Sequence, residues 1–385
     1  MRIGINASFA RKPGSGIGQV TINFLKKIAQ KKTSDEFVLY LEEDLPRDIK
    51  LPKNFSKKIF LPAWKRDDLV HKIWWEKWSL PKMVKQDNCE ALISMYQCPT
   101  ILNKNIKHVM VVHDLIPKLF PEYLNNWRKR LYWSLTEKAI KRADKILAIS
   151  SRTEKDLIAH LGIDPQKISV NHVDVDPIYK KRVQTRHASS VLKKYRLKPG
   201  YIYTGGGLEV RKNTEGVIRA YKFLLEKNAN EHFVHEFPKL VVSGKMMPEL
   251  APLIVDVQKL VKELNLSKRV RLLGFVPQTD LPALYNQSVM FVYPSHYEGF
   301  GMPVLEAMSA GTPAITSKHS SLPEVGRDGV LYCDPKDVLD IAMVMKNVLL
   351  HAQLRLALVV RGKERAQYFS WGKFSAKVFN VVKNL

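Results

Sequence analysis

VMFVYPSHYEGFGMPVLEAMSAGTP, residues 289–313, is the stretch on which both fold and site turn. It opens on five apolar residues, 289–293, too continuous for a strand with one wet face, and so predicts a strand buried in a parallel sheet. A loop carrying Glu298, Gly299 and Gly301 follows; Pro303 suits a first helical position and Gly311 closes the helix. The helix start places unpaired amides near Phe300, Gly301 and Met302, where hydrogen bonds and the helix dipole would hold a diphosphate. Glu306, one turn in, is placed to accept from ribose hydroxyls, and Glu298, on the loop, from sugar hydroxyls. The same spacing also describes a plain strand, turn and helix with two solvated glutamates.

Outward from this stretch the pattern repeats. Apolar runs at 201–206, 239–244, 269–274, 312–317 and 329–334 alternate with helical segments, and an earlier series occupies 2–8, 36–41, 90–95, 107–114, 145–151 and 168–173. Two doubly wound α/β domains follow. The Lys- and Arg-rich segment 174–199 is the expected linker, giving an N-terminal domain over 1–185 and a second over 186–367. The tail 368–385 is amphipathic, with Trp371, Phe374, Val378 and Val381 or Val382 near helical spacing, and needs a surface to cover.

Ligands of open parallel sheets bind outside the carboxyl ends of the strands, so the strand ends are the places to search. TGGGLEVRKN, 204–213, offers a bulk-free turn at Gly205, Gly206 and Gly207, then Arg211 and Lys212 where a helix should begin. Cations oppose the dipole there unless an anion sits near, which favours a phosphate site over a solvated pair. PGSGIGQVTINFLKK, 13–27, opens a helix with Gly14, Gly16 and Gly18, but its spacing is not GxGxxG and no acidic ribose partner follows, which disfavours a nicotinamide enzyme. VVHDLIP, 111–117, ends a buried strand on His113 and Asp114; the histidine is either a sugar ligand or a structural residue. Asp174 and Asp176 sit in the linker, away from the phosphate elements, and are read as no metal site.

With 45% hydrophobic and 26% charged residues the 385-residue chain is globular rather than disordered. The net charge of +25 is spread over the chain: 34 Lys and Arg against 20 Asp and Glu in residues 1–185, and 28 against 17 beyond. No RNA or DNA module accompanies it, so no specific nucleic acid is expected; anionic lipid or a phosphorylated acceptor suits it better. Two tryptophan-rich basic stretches, 64–85 and 125–145, either lean on such lipid or bury Trp74, Trp75 and Trp78 in the core. No secretory leader or membrane span is evident, and Cys89, Cys98 and Cys333 lack metal-ligand spacing, so the expected place is the cytoplasm or the inner face of the membrane.

Together these elements resemble the retaining glycosyltransferases of family four over nearly the whole chain. The most specific part is the Glu-x7-Glu motif EGFGMPVLE, 298–306, followed by AMSAGTPAITS and SLPEVGRDG; GGLEVRKN, the His113–Asp114 pair and FSWGKFSAKVF add to it. The resemblance implies the GT-B fold: two facing Rossmann-like, doubly wound domains, with the last helix crossing back to the first. It implies a hexosyltransferase moving mannose or glucose from a GDP- or UDP-sugar to a glycan or lipid-linked acceptor with retention, without cofactor or metal. By the same carry-over Arg211 and Lys212 would neutralise the diphosphate, and amides of Gly299, Phe300, Gly301 and Met302 would bind sugar and phosphate. Glu298 would engage the sugar, Glu306 the ribose, and the backbone at Val276 in LGFVPQ the base. Gly16 and Gly18 would approach the phosphate from the N-terminal domain, with His113 near the transferred sugar. Many relatives have Arg where this chain has Gly207, and Gly where it has His172; the first leaves more to Arg211 and Lys212. A phosphorylase or synthase of the same fold, and a non-catalytic polyanion-binding scaffold, are the alternatives.

Overall fold

Thirteen strands form two sheets in the computed structural model, which describes residues 1–46, 48–60, 68–227 and 237–385; residues 64–67 of the first tryptophan-rich stretch lie outside them. The first sheet holds β1 (Arg2–Asn6), β2 (Glu36–Leu41), β3 (Phe55–Ile59), β4 (Ala91–Ser94), β5 (Lys107–Val112), β6 (Lys145–Ala148) and β7 (Ile168–Val170), in the order β3-β2-β1-β4-β5-β6-β7. The second holds β8 (Tyr201–Thr204), β9 (Leu240–Ser243), β10 (Val270–Gly274), β11 (Ser288–Tyr293), β12 (Ala314–Ser317) and β13 (Leu331–Cys333), in the order β10-β9-β8-β11-β12-β13. Every pairing in both sheets is parallel, as buried apolar strands between helical layers require.

All twelve apolar runs form strands, and β3 is the addition. Its sequence, FSKKI, is almost wholly exposed at the edge of the sheet, where lysines discourage further pairing, so it lacks the apolar signal of the others.

The chain divides into one unit of Met1–Asp174 with Phe369–Leu385 and another of Val175–Tyr368. The passage falls at 174–175 rather than at 185 because the turn Pro177–Lys180 and the helix Thr185–Tyr195 belong with the second sheet, with Tyr179 buried against Tyr285. The helix Trp371–Lys383 returns to the first unit. There it buries Trp371, Phe374, Val378, Phe379 and Val382, and Phe374 meets Phe24 edge-on at 6.2 Å. Each such buried side chain stabilises the unit by about 1.5–3 kcal/mol. Asn171 donates to the Phe374 carbonyl at 3.1 Å, tying this helix to the end of the first sheet.

Strand order reverses between β1 and β4 in the first sheet and between β8 and β11 in the second. At such switch points the flanking loops part and leave a crevice at the carboxyl ends. The turn after β8 and the loop after β11 are the two motifs singled out in the second half of the sequence.

Candidate active site

Strand β8 runs into the glycine turn 205–207. A Cβ at Gly206 would come within 2.9 Å of Pro303 Cγ, so this turn abuts the start of the helix Met302–Ser309. Gly206 and Gly207 have φ of +95° and +118°, conformations that favour glycine. At Gly207 a Cβ would stand 2.7 Å from Lys212 Nζ, so a side chain there would displace the lysine. On the other side, Gly301 has φ +104° and leads into the helix; its carbonyl accepts from the Val304 and Leu305 amides at 3.1 and 3.3 Å, and Pro303 brings no N–H, so the anion-attracting feature of this helix start is its dipole.

The loop between β11 and that helix is pinned from below. His296 N donates to the Arg211 carbonyl at 2.7 Å, and Asn213 Nδ2 donates to Pro294 O at 3.2 Å and Pro335 O at 2.7 Å. Three serines at and just after the end of β12 complete the hold. Ser317 Oγ bonds Ser295 O at 2.5 Å, Ser320 Oγ accepts from Glu298 N at 3.0 Å, and Ser321 Oγ donates to Glu298 O and Phe300 O at 2.9 and 2.8 Å. The Glu298 amide is therefore used by the protein.

The Glu298 carboxylate is buried and takes three donors on one oxygen. Oε1 accepts from Tyr293 at 2.6 Å, from Arg211 Nη1 at 2.8 Å and from Ser295 at 3.1 Å. Arg211 also donates from Nη1 to Tyr297 O at 2.8 Å, and its Nη2 lies 3.6 Å from Glu209. Lys212 Nζ pairs with Glu209 at 2.8 Å and donates to the Gly206 carbonyl. Although burial works against ionisation, the cations Lys212 and Arg211 hold the Glu209 carboxyl below its ordinary range. Two cations thus converge on one carboxylate beside a helix start, an arrangement that an incoming diphosphate can enter by competing with Glu209.

Glu306 is buried beside two tyrosines. Tyr285 donates to its Oε2 at 3.0 Å, and Tyr179 stands beside it. Burial pushes its carboxyl up to about 7, against the lowering by these phenols. A hydroxyl donates best to the ionised form, so any hydroxyl that Glu306 accepts from is held more tightly as pH rises through about 7 and less tightly below it. The phosphates of a nucleotide sugar stay ionised throughout, so this limb belongs to the protein. We expect kcat/KM for donor to rise between about pH 6 and 8, and Glu306→Gln to flatten the profile and raise donor KM while sparing kcat. A flat wild-type profile, or a pure kcat defect in the variant, would contradict the ribose role.

Val276 is buried in the turn after β10, whereas its neighbour Phe275 is 70% exposed and is the aromatic face offered there. In the first unit, Ser15 Oγ caps the helix Gly16–Ile28 by accepting from Gly18 N at 3.1 Å. A Cβ at Gly18 would overlap the Lys12 carbonyl at 1.9 Å, so this glycine answers to close packing of its own loop, and its amide is spent on the cap. His113 directly follows β5, buried, with Nε2 at 2.9 Å from the Met95 carbonyl; a carbonyl only accepts, so Nε2 carries the proton and Nδ1 is the acceptor. Burial lowers the imidazole to about 4, so it is neutral at physiological pH and suited to hydrogen bonding rather than to proton uptake. Also at this sheet's carboxyl end, a cavity of about 200 Å³ is lined by Phe9, Arg11, Glu42, Asp68 and Lys72 among others.

The family described as Glycosyltransferase Family 4 matches residues 15–177, and that described as Glycosyl transferases group 1 matches residues 192–365. O-antigen chain mannosyltransferase B of Escherichia coli is 33% identical over 278 residues, 72% of this chain and 70% of that protein. The chain belongs to glycosyltransferase family 4.

A second Escherichia coli relative, the serotype-specific mannosyltransferase WbdA, is 33% identical over 269 residues; that match covers 69% of this chain but only 32% of WbdA. Among solved structures, Anabaena HepE in complex with UDP and glucose superposes with a TM-score of 0.72 at 16% identity, covering all of this chain and 99% of that one. The fold is GT-B, and the family 4 chain is a nucleotide-sugar-dependent glycosyltransferase that transfers a hexose.

The residues that hold the candidate site in shape are not among those the sequence marks. Tyr293 and Tyr285 each grip one glutamate of the Glu-x7-Glu pair, and Ser317, Ser320 and Ser321 fix the loop between them. Tyr293, the last residue of a buried strand just ahead of Glu298, carried a readable signal; the serines, from the end of β12 and the turn after it, carried none. Arg11, Glu42 and Lys72 are likewise joined from three segments.

Proposed function

We propose that the chain transfers mannose from a nucleoside diphosphate sugar to a growing glycan, with retention of configuration. Support for mannose comes from the two mannosyltransferase relatives, and support for a nucleoside diphosphate carrier from the solved neighbour in complex with UDP. The observation that carries the reading is the convergence of Arg211, Lys212 and the start of the helix Met302–Ser309 beside Glu298, all on one switch point.

At the transition state positive charge gathers at the anomeric carbon and negative charge on the departing phosphate. Arg211, Lys212 and the dipole of the helix Met302–Ser309 would stabilise the phosphate by preorganised electrostatics. Glu298 orients the sugar, Glu306 the ribose, and the backbone at Val276 beside exposed Phe275 meets the base. The acceptor attacks from the face the phosphate leaves, and that phosphate accepts its proton, so no protein nucleophile is needed. His113, neutral, hydrogen-bonds rather than titrates. Gly16, the first residue of its helix, would approach the donor phosphate, whereas Gly18 shapes its loop. The lined cavity at the end of the first sheet, with an aromatic ring, cations and carboxylates, suits a hexose hydroxyl array of the acceptor.

The test is donor turnover across GDP-mannose, UDP-glucose, UDP-galactose and ADP-glucose with an oligomannoside acceptor. GDP-mannose should react fastest and give an α-linked product. Preference for another donor would remove the mannose assignment, and inversion would remove the mechanism.

A further inference from the structure

Two helical segments of the first unit carry stripes of exposed apolar side chains. From Leu69 to Gln86 the chain is helical throughout, with a wider turn at Trp75–Ser79. Ile73, Trp75, Leu80 and Val84 go inward, whereas Val70, Trp74 and Trp78, four residues apart, face water. On the helix Trp127–Arg142, Trp133, Ala139 and Ile140 are buried, and Trp127 and Leu131, again four apart, are exposed. Trp74, Trp78 and Trp127 are 49%, 53% and 64% exposed, whereas Trp75, Trp133 and Trp371 are at most 7% exposed. The first three are therefore not core residues at a rim.

Both segments lie on one face of the first sheet. The crossovers β3 to β4 and β5 to β6 run the same way across it, and right-handed crossovers in one direction share a face. Tyr132 joins them, donating to Glu76 at 2.8 Å while Lys72 sits 4.9 Å above its ring. Residues 69–86 and 127–142 carry ten lysines and arginines against Glu76 and Glu137, and Glu76 is buried. Lys77 Nζ stands 4.6 Å from the Trp78 ring and Arg128 5.5 Å from Trp127, setting cations level with the exposed indoles.

We propose that this face docks on an anionic lipid bilayer. Indoles flanked by cations match the boundary between acyl chains and charged headgroups, and the positive charge complements the negative surface of such a leaflet. Among the described residues no single helix is long and apolar enough to cross a membrane, so the contact is one of surface attachment. Leu69 and Lys72 line the cavity at the carboxyl end of the sheet, on the same helical segment whose Val70 and Trp74 face water. A lipid-borne acceptor would then meet the protein beside its point of attachment; that clause rests on the glycosyltransfer reading, and the docking itself does not.

Flotation of the full chain with phosphatidylcholine vesicles containing roughly a third phosphatidylglycerol tests this, since each basic residue near the surface adds to attraction. The wild type should float at low salt, float far less at about 0.5 M salt, and stay behind with pure phosphatidylcholine. Trp74→Ser, Trp78→Ser and Trp127→Ser combined should cut the bound fraction at least roughly tenfold, since each indole buries a large apolar area. Donor turnover on a water-soluble acceptor and thermal midpoint should be unchanged, which separates loss of docking from loss of the fold or of the enzyme. Equal flotation of wild type and triple variant would overturn the proposal. So would an absence of low-salt binding, or a dimer in light scattering that the triple variant converts to monomer, which would make the occupant a second copy.

Discussion

Replacing Lys212 with alanine is expected to lower kcat at saturating donor by about a hundredfold, the cost of losing one charged donor from a leaving-group site. Lys212 Nζ is held over the glycine turn by Glu209 at 2.8 Å and by the Gly206 carbonyl, next to the start of the helix Met302–Ser309. Charge on the phosphate grows toward the transition state, so a cation there acts more on kcat than on KM. Steady-state kinetics with purified variant decide the matter. Unchanged kcat would take Lys212 out of the departure step. Glu209→Gln is the companion measurement: with the competing carboxylate neutralised, donor should bind more tightly, and weaker binding would show that Glu209 positions Lys212 rather than competing with the donor.

Arg211→Ala is expected to cost more, because it removes a cation from the phosphate and a partner from a buried carboxylate. Arg211 and Glu298 are about a tenth exposed and 2.8 Å apart, with the same guanidinium nitrogen holding the Tyr297 carbonyl. Stranding Glu298 in the interior should destabilise the second unit by about 3 kcal/mol. Its melting midpoint would fall by roughly 6–12 °C. Turnover of the folded fraction should drop by at least about a hundredfold. Arg211→Lys restores the charge without the planar fork and should rescue stability only in part. In Arg211→Ala combined with Glu298→Ala the losses of stability should fall short of additive, since the stranded charge is gone. Additive losses, read by differential scanning calorimetry, would mean that the pair is not coupled.

Both expectations begin from residues that stand out in the chain. Arg211 and Lys212 follow a run of three glycines, and Glu298 and Glu306 flank a glycine-rich turn eight residues apart. Their roles in holding donor could be proposed at once. What could not be read was who holds them. Tyr285 lies 21 residues before Glu306, and Ser321 lies 23 after Glu298, separated by strands whose order is not the order of the chain. The tryptophan stretches show the same limit, since period alone could not tell Trp75, buried, from its neighbours Trp74 and Trp78.

The sequence by itself determined the two parallel sheets, because runs of Val, Ile and Leu buried on both faces admit little else, and it determined where chemistry collects, because glycines and a helix start announce an anion site locally. Only the tertiary structure decided the charge states. Whether Glu306 titrates near 7, or His113 stays neutral, depends on how much water the neighbouring side chains exclude. Those neighbours come from distant segments, and desolvation is a property of the packed whole that no local pattern records.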